Sequence, residues 1–360
     1  MTRLLVVDDS ALMRRLLLEV FSQAGGFELA FARNGAEALD ALAAFKPDVI
    51  TLDVEMPDMD GLETLDRIML ERPTPVVMVS SLTADGAETT LRALELGAVD
   101  FVAKPKGAIS LEIDRLGPDL VETVRAAAKA RVRRTHRLAE RIRRSLGAAG
   151  PAPVTLSPRR QLSNVAADDL PGLVLVGVST GGPPALEALL SALPEHFPWP
   201  VLIAQHMPAS FTGPLARRLD GLCAMQVSEA TAPTLLAPGG VYIARGDADV
   251  ILGRRAGRIV AIPAPADPAR RWHPSVDRMV ESAMQHVSAD RLAGVLMTGM
   301  GNDGAQAMTA LRQAGGRTIA EAEETAVVWG MPGELVKAGG AQAVERLERI
   351  APRLIAMVAG

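Results

Sequence analysis

The 360-residue sequence lacks the features of secreted, membrane-spanning and nucleic-acid-binding proteins. Its one cysteine, Cys223, excludes an internal disulfide framework and is interpreted as a small buried hydrophobe in a reducing compartment. Aromatic residues make up 3% of the chain and the net charge is −4, which disfavours a nucleic-acid partner. No apolar run approaches the roughly 20 residues of a membrane span, and two acids interrupt any signal-peptide core. These absences predict a cytoplasmic protein without membrane insertion.

Short apolar runs alternate with helical periodicity over the first third of the chain. Each of five runs is followed by an amphipathic stretch, and the runs are LLVVD, FELAFA, DVITLD, PVVMVS and VDFVAKP. Five strand–helix units predict a doubly wound α/β domain with a parallel sheet. Ligands of such sheets bind beyond the carboxyl ends of the strands, so the residues at those ends are the first candidates for function.

Polar residues stand at the ends of four predicted strands, namely Asp8 and Asp9, Asp53, Ser80 and Lys104. Three carboxylates at one edge repel one another unless a cation compensates them, and oxygen ligands at an open loop suit Mg²⁺. A hydroxyl and an ammonium group beside them suit a phosphoryl group carried on one carboxylate. A single aspartate at such a place is more readily explained as a helix N-cap, but five polar groups together are not.

Over roughly residues 1–125 these motifs resemble the receiver domain of two-component response regulators. The resemblance rests on the acidic pair, on LDVEMPDMDG, on VVMVSS and on FVAKP. It implies a (βα)5 flavodoxin-like fold and phosphorylation of Asp53 by a histidine kinase, with Ser80 and Lys104 sensing the phosphoryl group. It also implies a Mg²⁺ ion whose ligands are Asp8, Asp9, Asp53 and the carbonyl of Glu55.

Residues 126–170 differ in composition from the segments on either side. The stretch KARVRRTHRLAERIRRS is basic and helix-forming, and a segment rich in Gly, Pro, Ala and Ser follows it. We predict an extension of the last receiver helix and then a flexible linker. The basic stretch is either a docking surface or a solvated helix face. From residue 171 to 360 the strand–helix alternation restarts, which predicts a second α/β domain with a parallel sheet. A catalytic role for this domain depends on its motifs and not on the alternation.

The motif GVSTGG at residues 177–182 lies between an apolar run and a helix-like segment. A glycine-rich turn in this position either binds a phosphate or presents a nucleophile. The spacings of phosphate-binding loops and of dinucleotide-binding motifs are absent, whereas Gly-x-Ser-x-Gly around Ser179 fits a nucleophile elbow. Because this five-residue pattern is weak alone, its partners have to be found elsewhere in the chain.

A serine nucleophile requires a base that is oriented by an acid. His206 directly follows the run PVLIAQ and Asp303 follows GVLMTG, so both are expected at the sheet edge that carries Ser179. His273 is the second choice of base, and Asp303 alone fits an acid at a helix N-terminus equally well. The predicted oxyanion hole consists of the backbone N–H groups of Thr180 and Met300.

The motifs GVSTGG, QHMP, PSVD, TGMGNDG and ETAVVWGMP, in this order behind a receiver domain, resemble the CheB family of chemotaxis protein-glutamate methylesterases. The resemblance implies hydrolysis of glutamate γ-methyl esters on methyl-accepting chemoreceptors, with release of methanol and no cofactor for the ester step. In many members it also implies deamidation of receptor glutamines. The implied roles are nucleophile for Ser179, general base and acid for His206, and orienting acid for Asp303. The sequence departs from the family pattern at Val178, His273 and Trp329.

The residues alone leave other functions open. A serine protease or lipase would carry the same triad, since a triad does not specify its substrate. A phosphorylation-gated binding module with an inert second domain is another hypothesis, while a DNA-binding regulator lacks a recognisable helix-turn-helix. We favour a hydrolase whose unphosphorylated receiver domain blocks the catalytic edge and whose phosphorylation at Asp53 opens it.

Overall fold

The computed structural model describes residues 1–81, 83–104, 109–130 and 170–359. The chain divides into two compact units, Met1–Pro153 and Val154–Gly360. Most of the predicted linker lies outside the described residues, so its boundaries stay predictions. In the described part of the chain no helix is long and apolar enough to cross a membrane.

The described part of the first unit contains five strands and five helices that alternate along the chain. Its parallel sheet has the strand order β2-β1-β3-β4-β5. The order confirms the flavodoxin-like prediction, because the chain moves outward from β1 on both sides. The elements are β1 Thr2–Val7, α1 Ala11–Ala24, β2 Phe27–Ala32, α2 Gly35–Phe45, β3 Val49–Asp53, α3 Gly61–Glu71, β4 Val76–Ser80, α4 Ala84–Leu96, β5 Asp100–Ala103 and α5 Ile109–Ala127.

The first four helices begin at short polar side chains that accept a backbone N–H of the first turn. These N-caps are Ser10, Asn34, Asp60 and Thr83. The strand-end aspartates at positions 8, 9 and 53 are therefore not the N-caps of the helices that follow them. Their carboxylates remain at the edge of the sheet, as the sequence predicts.

The second unit contains a seven-stranded parallel sheet and a small antiparallel sheet. The strand orders are β15-β14-β13-β6-β7-β10-β8 and β11-β12-β9. The elements are β6 Leu173–Val178, α6 Gly182–Ser191, β7 Val201–Gln205, α7 Ala209–Leu222, β8 Gln226–Ala230, β9 Thr234–Leu235, β10 Gly240–Ala244, β11 Asp249–Arg255, β12 Arg258–Ala264, α8 Val276–His286, β13 Leu292–Leu296, α9 Ala305–Gln313, β14 Arg317–Glu321, α10 Met331–Lys337, β15 Ala343–Glu345 and α11 Leu347–Ala359.

The centre of the large sheet is formed by β13, β6 and β7, in which every residue is buried. Strands covered on both faces by helices read as continuous apolar runs, which is how the sequence revealed them. The chain leaves β6 toward β7 on one side and later returns to β13 on the other. This reversal is a topological switch point, where the carboxyl ends of the strands leave a crevice for a ligand.

Candidate active site

Ser179 stands in a tight turn directly after β6. Its N–H donates to the carbonyl of Thr298 at 2.9 Å, and its carbonyl accepts the N–H of Gly182 at 2.8 Å. Gly181 has a φ of 76°, and a Cβ there would lie 2.7 Å from Val327. The turn therefore requires glycine and leaves Ser179 partly exposed above the sheet edge. This is the strand-to-helix turn that the elbow pattern predicts.

His206 follows the neighbouring strand β7, and its ring is bonded to Asp303. The atoms His206 Nε2 and Asp303 Oδ2 are 2.8 Å apart, and the imidazole is 7% exposed. Since an ionised carboxylate only accepts hydrogen bonds, Nε2 carries the proton and Nδ1 carries the lone pair. Nδ1 is buried and has no hydrogen-bond partner among the described residues. The described residues show no hydrogen bond between Nδ1 and Ser179, and a bond from Nδ1 to the serine would reverse the nitrogen roles of trypsin-like triads.

Asp303 lies in the loop after β13 and is 5% exposed. Besides His206, it accepts hydrogen bonds from Ser275 Oγ at 3.1 Å and from the N–H groups of Val276 at 2.7 Å and Asp277 at 3.0 Å. Burial alone would raise the pKa of Asp303, but the bond from His206 and the two backbone donors hold that pKa below its ordinary value. The carboxylate is therefore ionised and contacts the first turn of α8, whereas its own helix α9 has no side-chain cap.

The loop 297–304 packs closely against the serine turn. Thr298 Oγ1 donates to the carbonyl of Thr180 at 2.8 Å, and a Cβ at Gly299 would lie 2.8 Å from the Cβ of Ser179. Within the described residues, the N–H of Met300 donates no hydrogen bond. The two predicted oxyanion donors thus belong to segments that are directly bonded to each other.

Three residues that position this site were missed in the sequence. Gln205 Nε2 donates to the carbonyls of Ser179 at 3.0 Å and His206 at 3.1 Å, so one amide links both strand ends. Buried Glu321 accepts the N–H of Thr298 at 2.8 Å. The third is Ser275, which contacts Asp303 as described above. A polar residue ending an apolar run is a signal that could have found the first two, but nothing local marks Ser275.

The second-choice base, His273, pairs with a different carboxylate. His273 Nδ1 lies 2.9 Å from Oδ1 of Asp249, a fully buried side chain that also pairs with Arg278 Nη1 at 2.6 Å. Burial would raise the pKa of Asp249, but hydrogen bonds from His273, the Ser275 N–H and Arg278 hold that pKa below its ordinary value. The partner of Asp303 is therefore His206, not His273.

In the first unit the three predicted carboxylates converge at the edge of the sheet. Ligand atoms of Asp8, Asp9 and Asp53 lie within 4.8 Å of one another. Lys104 Nζ is 2.6 Å from Asp53 Oδ2 and 3.8 Å from Asp8 Oδ2. Burial and the charge of Asp53 raise the pKa of Asp8 to about 6. Asp8 Oδ2 is buried and accepts no hydrogen bond from the described residues, so these oxygens fit a divalent cation.

Ser80 ends β4 beside this cluster, but its hydroxyl is engaged elsewhere. Its Oγ lies 2.8 Å from Thr90 Oγ1 and 3.4 Å from the carbonyl of Gly86. The N–H of Glu55 donates to Asp53 Oδ1 at 3.1 Å, which places the Glu55 backbone at the cluster. Because this hydroxyl accepts from Thr90 and donates to the Gly86 carbonyl, a phosphoryl group on Asp53 would compete with that carbonyl for the Ser80 proton.

Fold and site together define a class of protein in which a receiver domain accompanies a parallel-sheet hydrolase domain. Residues 174–354 match the family model described as CheB methylesterase, and residues 4–113 match that of the response regulator receiver domain. The chain belongs to the CheB methylesterase family.

Two relatives resemble the chain over nearly its whole length. "Protein-glutamate methylesterase/protein-glutamine glutaminase 2" of Rhodopseudomonas palustris is 58% identical over 357 residues, covering 99% of this chain and 98% of the relative. "Protein-glutamate methylesterase/protein-glutamine glutaminase 3" of Rhodospirillum rubrum is 55% identical over 359 residues, covering 98% of this chain and 95% of the relative. The crystal structure of the Thermotoga maritima CheB methylesterase catalytic domain is 36% identical with a TM-score of 0.50, covering 52% of this chain and 98% of that one. Both fold predictions are thereby confirmed.

Proposed function

We propose that the protein is a phosphorylation-activated, cytoplasmic hydrolase that demethylates glutamate γ-methyl esters on methyl-accepting chemoreceptors. The names of its relatives support this substrate class and also support deamidation of receptor glutamines. The observation that carries the proposal is the buried His206–Asp303 pair, at 2.8 Å, beside the strand end that presents Ser179. A buried histidine with one ring nitrogen on a carboxylate and the other without a partner is arranged to accept a proton.

In the acylation step, Ser179 Oγ attacks the ester carbonyl while His206 Nδ1 takes the hydroxyl proton. Asp303 stabilises the imidazolium through Nε2–H and keeps the ring in the required tautomer. The N–H groups of Thr180 and Met300 stabilise the oxyanion, and loss of one such donor costs about 3–4 kcal/mol in other enzymes. Collapse of the tetrahedral intermediate returns the proton from Nδ1 to the methoxy oxygen, and methanol leaves.

In the deacylation step, water replaces the alcohol. His206 Nδ1 takes a proton from the attacking water, and the second tetrahedral intermediate expels Ser179 Oγ, which recovers the proton. The product is a receptor glutamate. A glutamine side chain enters the same acyl-enzyme with ammonia as the leaving group, so both reactions need the same three residues and no cofactor.

The receiver unit supplies the control of this activity. Asp8, Asp9, Asp53 and the Glu55 carbonyl would hold Mg²⁺, which neutralises charge during phosphoryl transfer from a histidine kinase to Asp53. Lys104, at 2.6 Å from Asp53 Oδ2, would pair with the phosphoryl group, and Ser80 would donate its proton to this group in place of the Gly86 carbonyl. The new contacts shift the receiver equilibrium and so raise hydrolysis.

The test measures methanol release from a methylated chemoreceptor, with and without a small phosphodonor and Mg²⁺. We expect release by the wild type to rise with phosphodonor, release by Asp53→Asn to stay at the basal rate, and Ser179→Ala to release none. Equal rates with and without phosphodonor, while Asp53 is demonstrably phosphorylated, would contradict activation. Methanol release by Ser179→Ala would contradict the assigned nucleophile.

A further inference from the structure

The indole of Trp272 lies parallel to the imidazole of His206. The two ring planes differ by 7° and the ring centroids are 6.1 Å apart, an offset stack. Trp272 is half-buried in the loop that precedes α8. The predicted catalytic base is therefore in contact with an aromatic side chain that the mechanism above does not use.

The same indole packs against the loop that carries the predicted oxyanion donor. Gly301, which follows Met300, has a φ of 84°, and a Cβ at this position would collide with the six-membered ring of Trp272. Only glycine allows both this backbone conformation and this close approach. Trp272 thus lies against the base on one hand and against the oxyanion loop on the other.

The chain on both sides of Trp272 is held by charged and polar contacts. Arg271 places its guanidinium 5.2 Å from the centroid of the Trp272 ring. His273 is bonded to buried Asp249, and two positions further on Ser275 donates to Asp303. The segment 271–275 therefore contacts His206 through the Trp272 indole and Asp303 through the Ser275 hydroxyl.

One hydrogen bond does not determine the orientation of the His206 ring. The bond between Nε2 and Asp303 leaves the imidazole some freedom to tilt about the N–H···O axis, within the limits set by its Cβ–Cγ bond, and Nδ1 has no partner among the described residues. A flat surface parallel to the ring removes this freedom and covers the pair from water. We propose that Trp272 is a positioning residue that fixes the plane of the His206 imidazole, so that Nδ1 is directed at Ser179.

This inference rests on the proposed roles of Ser179 and His206 and is tested in the full-length protein with three variants. Trp272→Phe keeps a flat ring, Trp272→Leu keeps apolar cover without a flat face, and Trp272→Ala removes both. We expect kcat for methanol release to fall about 10²-fold in the Leu and Ala variants, the loss typical of a misplaced catalytic group, with KM changed much less. The Phe variant should stay within one order of magnitude of the wild type.

Two readouts do not depend on receptor hydrolysis. The first is the rate at which a fluorophosphonate labels Ser179, which we expect to fall in the Leu and Ala variants and to be retained by Phe. The second is the NMR signal of the Nε2 proton of His206, which we expect to broaden in the Leu variant and to stay sharp in the Phe variant. If the wild-type protein is labelled by the fluorophosphonate but releases no methanol from the receptor, this result would refute the proposed substrate class and not the role of Trp272.

The inference is overturned if Trp272→Leu, with a wild-type circular dichroism spectrum, labels and hydrolyses at the wild-type rate. It is also overturned if Leu and Phe lose activity equally while the Nε2 proton signal is unchanged in both, since Trp272 would then act on the substrate instead. If the Trp272→Leu and Trp272→Ala variants fail to fold, Trp272→Phe is compared with the wild type. Loss of the His206 Nε2 proton signal in a folded Trp272→Phe variant overturns the role of a flat ring.

Discussion

Asp303→Asn is expected to abolish activity and also to destabilise the catalytic unit, because all four partners of this carboxylate are donors. Oδ2 accepts from His206 Nε2 and the N–H of Val276, and Oδ1 accepts from Ser275 Oγ and the N–H of Asp277. An asparagine offers one oxygen and one NH2 group. The NH2 group therefore replaces one carboxylate oxygen, and it faces the two donors that this oxygen accepted from.

Either orientation of the asparagine amide leaves one backbone N–H without an acceptor. If NH2 replaces Oδ1, the Ser275 hydroxyl can rotate to accept, but the N–H of Asp277 cannot. If NH2 replaces Oδ2, His206 can accept only by moving its proton to Nδ1, and the N–H of Val276 is left unpaired. A buried unpaired donor costs about 1–3 kcal/mol, so we expect a loss of this size in the free energy of unfolding.

Both orientations also remove the negative charge that stabilises the imidazolium, and one of them places the proton on the nitrogen that must accept it. We expect kcat to fall on the order of 10⁴-fold, as when the tautomer of a triad histidine is wrong. Methanol release measures activity, and urea unfolding followed by tryptophan fluorescence measures stability. All three tryptophans, at positions 199, 272 and 329, belong to the catalytic unit, so this signal reports that unit alone.

Ser179→Ala is the matched control for Asp303→Asn, because it should lose activity without a change in the unfolding free energy. An asparagine variant as stable as the wild type would refute the four-donor arrangement. A kcat within tenfold of the wild type would refute the role of Asp303 in holding the proton on Nε2.

Two further predictions concern residues beside the triad. Burial raises the pKa of Asp277 from 3.8 to about 6, so stability falls as the pH rises through this window, by at most about 3 kcal/mol. Asp277→Asn should therefore stabilise the catalytic unit in urea unfolding at pH 7 and lose this advantage below pH 3.8; equal gains at both pH values would count against it. Gln205→Leu removes the amide that joins the carbonyls of Ser179 and His206. We expect it to lower the unfolding free energy by about 1–3 kcal/mol and to reduce kcat. An unchanged kcat would limit Gln205 to a structural role.

Sequence patterns alone predict where the two candidate sites lie. In a parallel sheet every strand points the same way, so a polar residue directly after an apolar run must lie at the carboxyl edge. This argument located Asp53 and Lys104 in one unit and Ser179 and His206 in the other, and the structure brings the side chains of each unit to one sheet edge. Local patterns are sufficient to place these residues, because the sequence itself shows which residue follows the carboxyl end of each strand.

The contacts between individual atoms of the candidate active site follow from the packing of segments that are distant in the chain. That His206 bonds Asp303 through Nε2, while Nδ1 has no partner among the described residues, depends on how a loop after β13 approaches a strand end nearly 100 residues away. The pairing of His273 with Asp249 and the stack of Trp272 on His206 depend on the loop before α8 in the same way. The periodicity of the sequence does not predict such contacts, because they depend on the packing of segments that are distant in the chain.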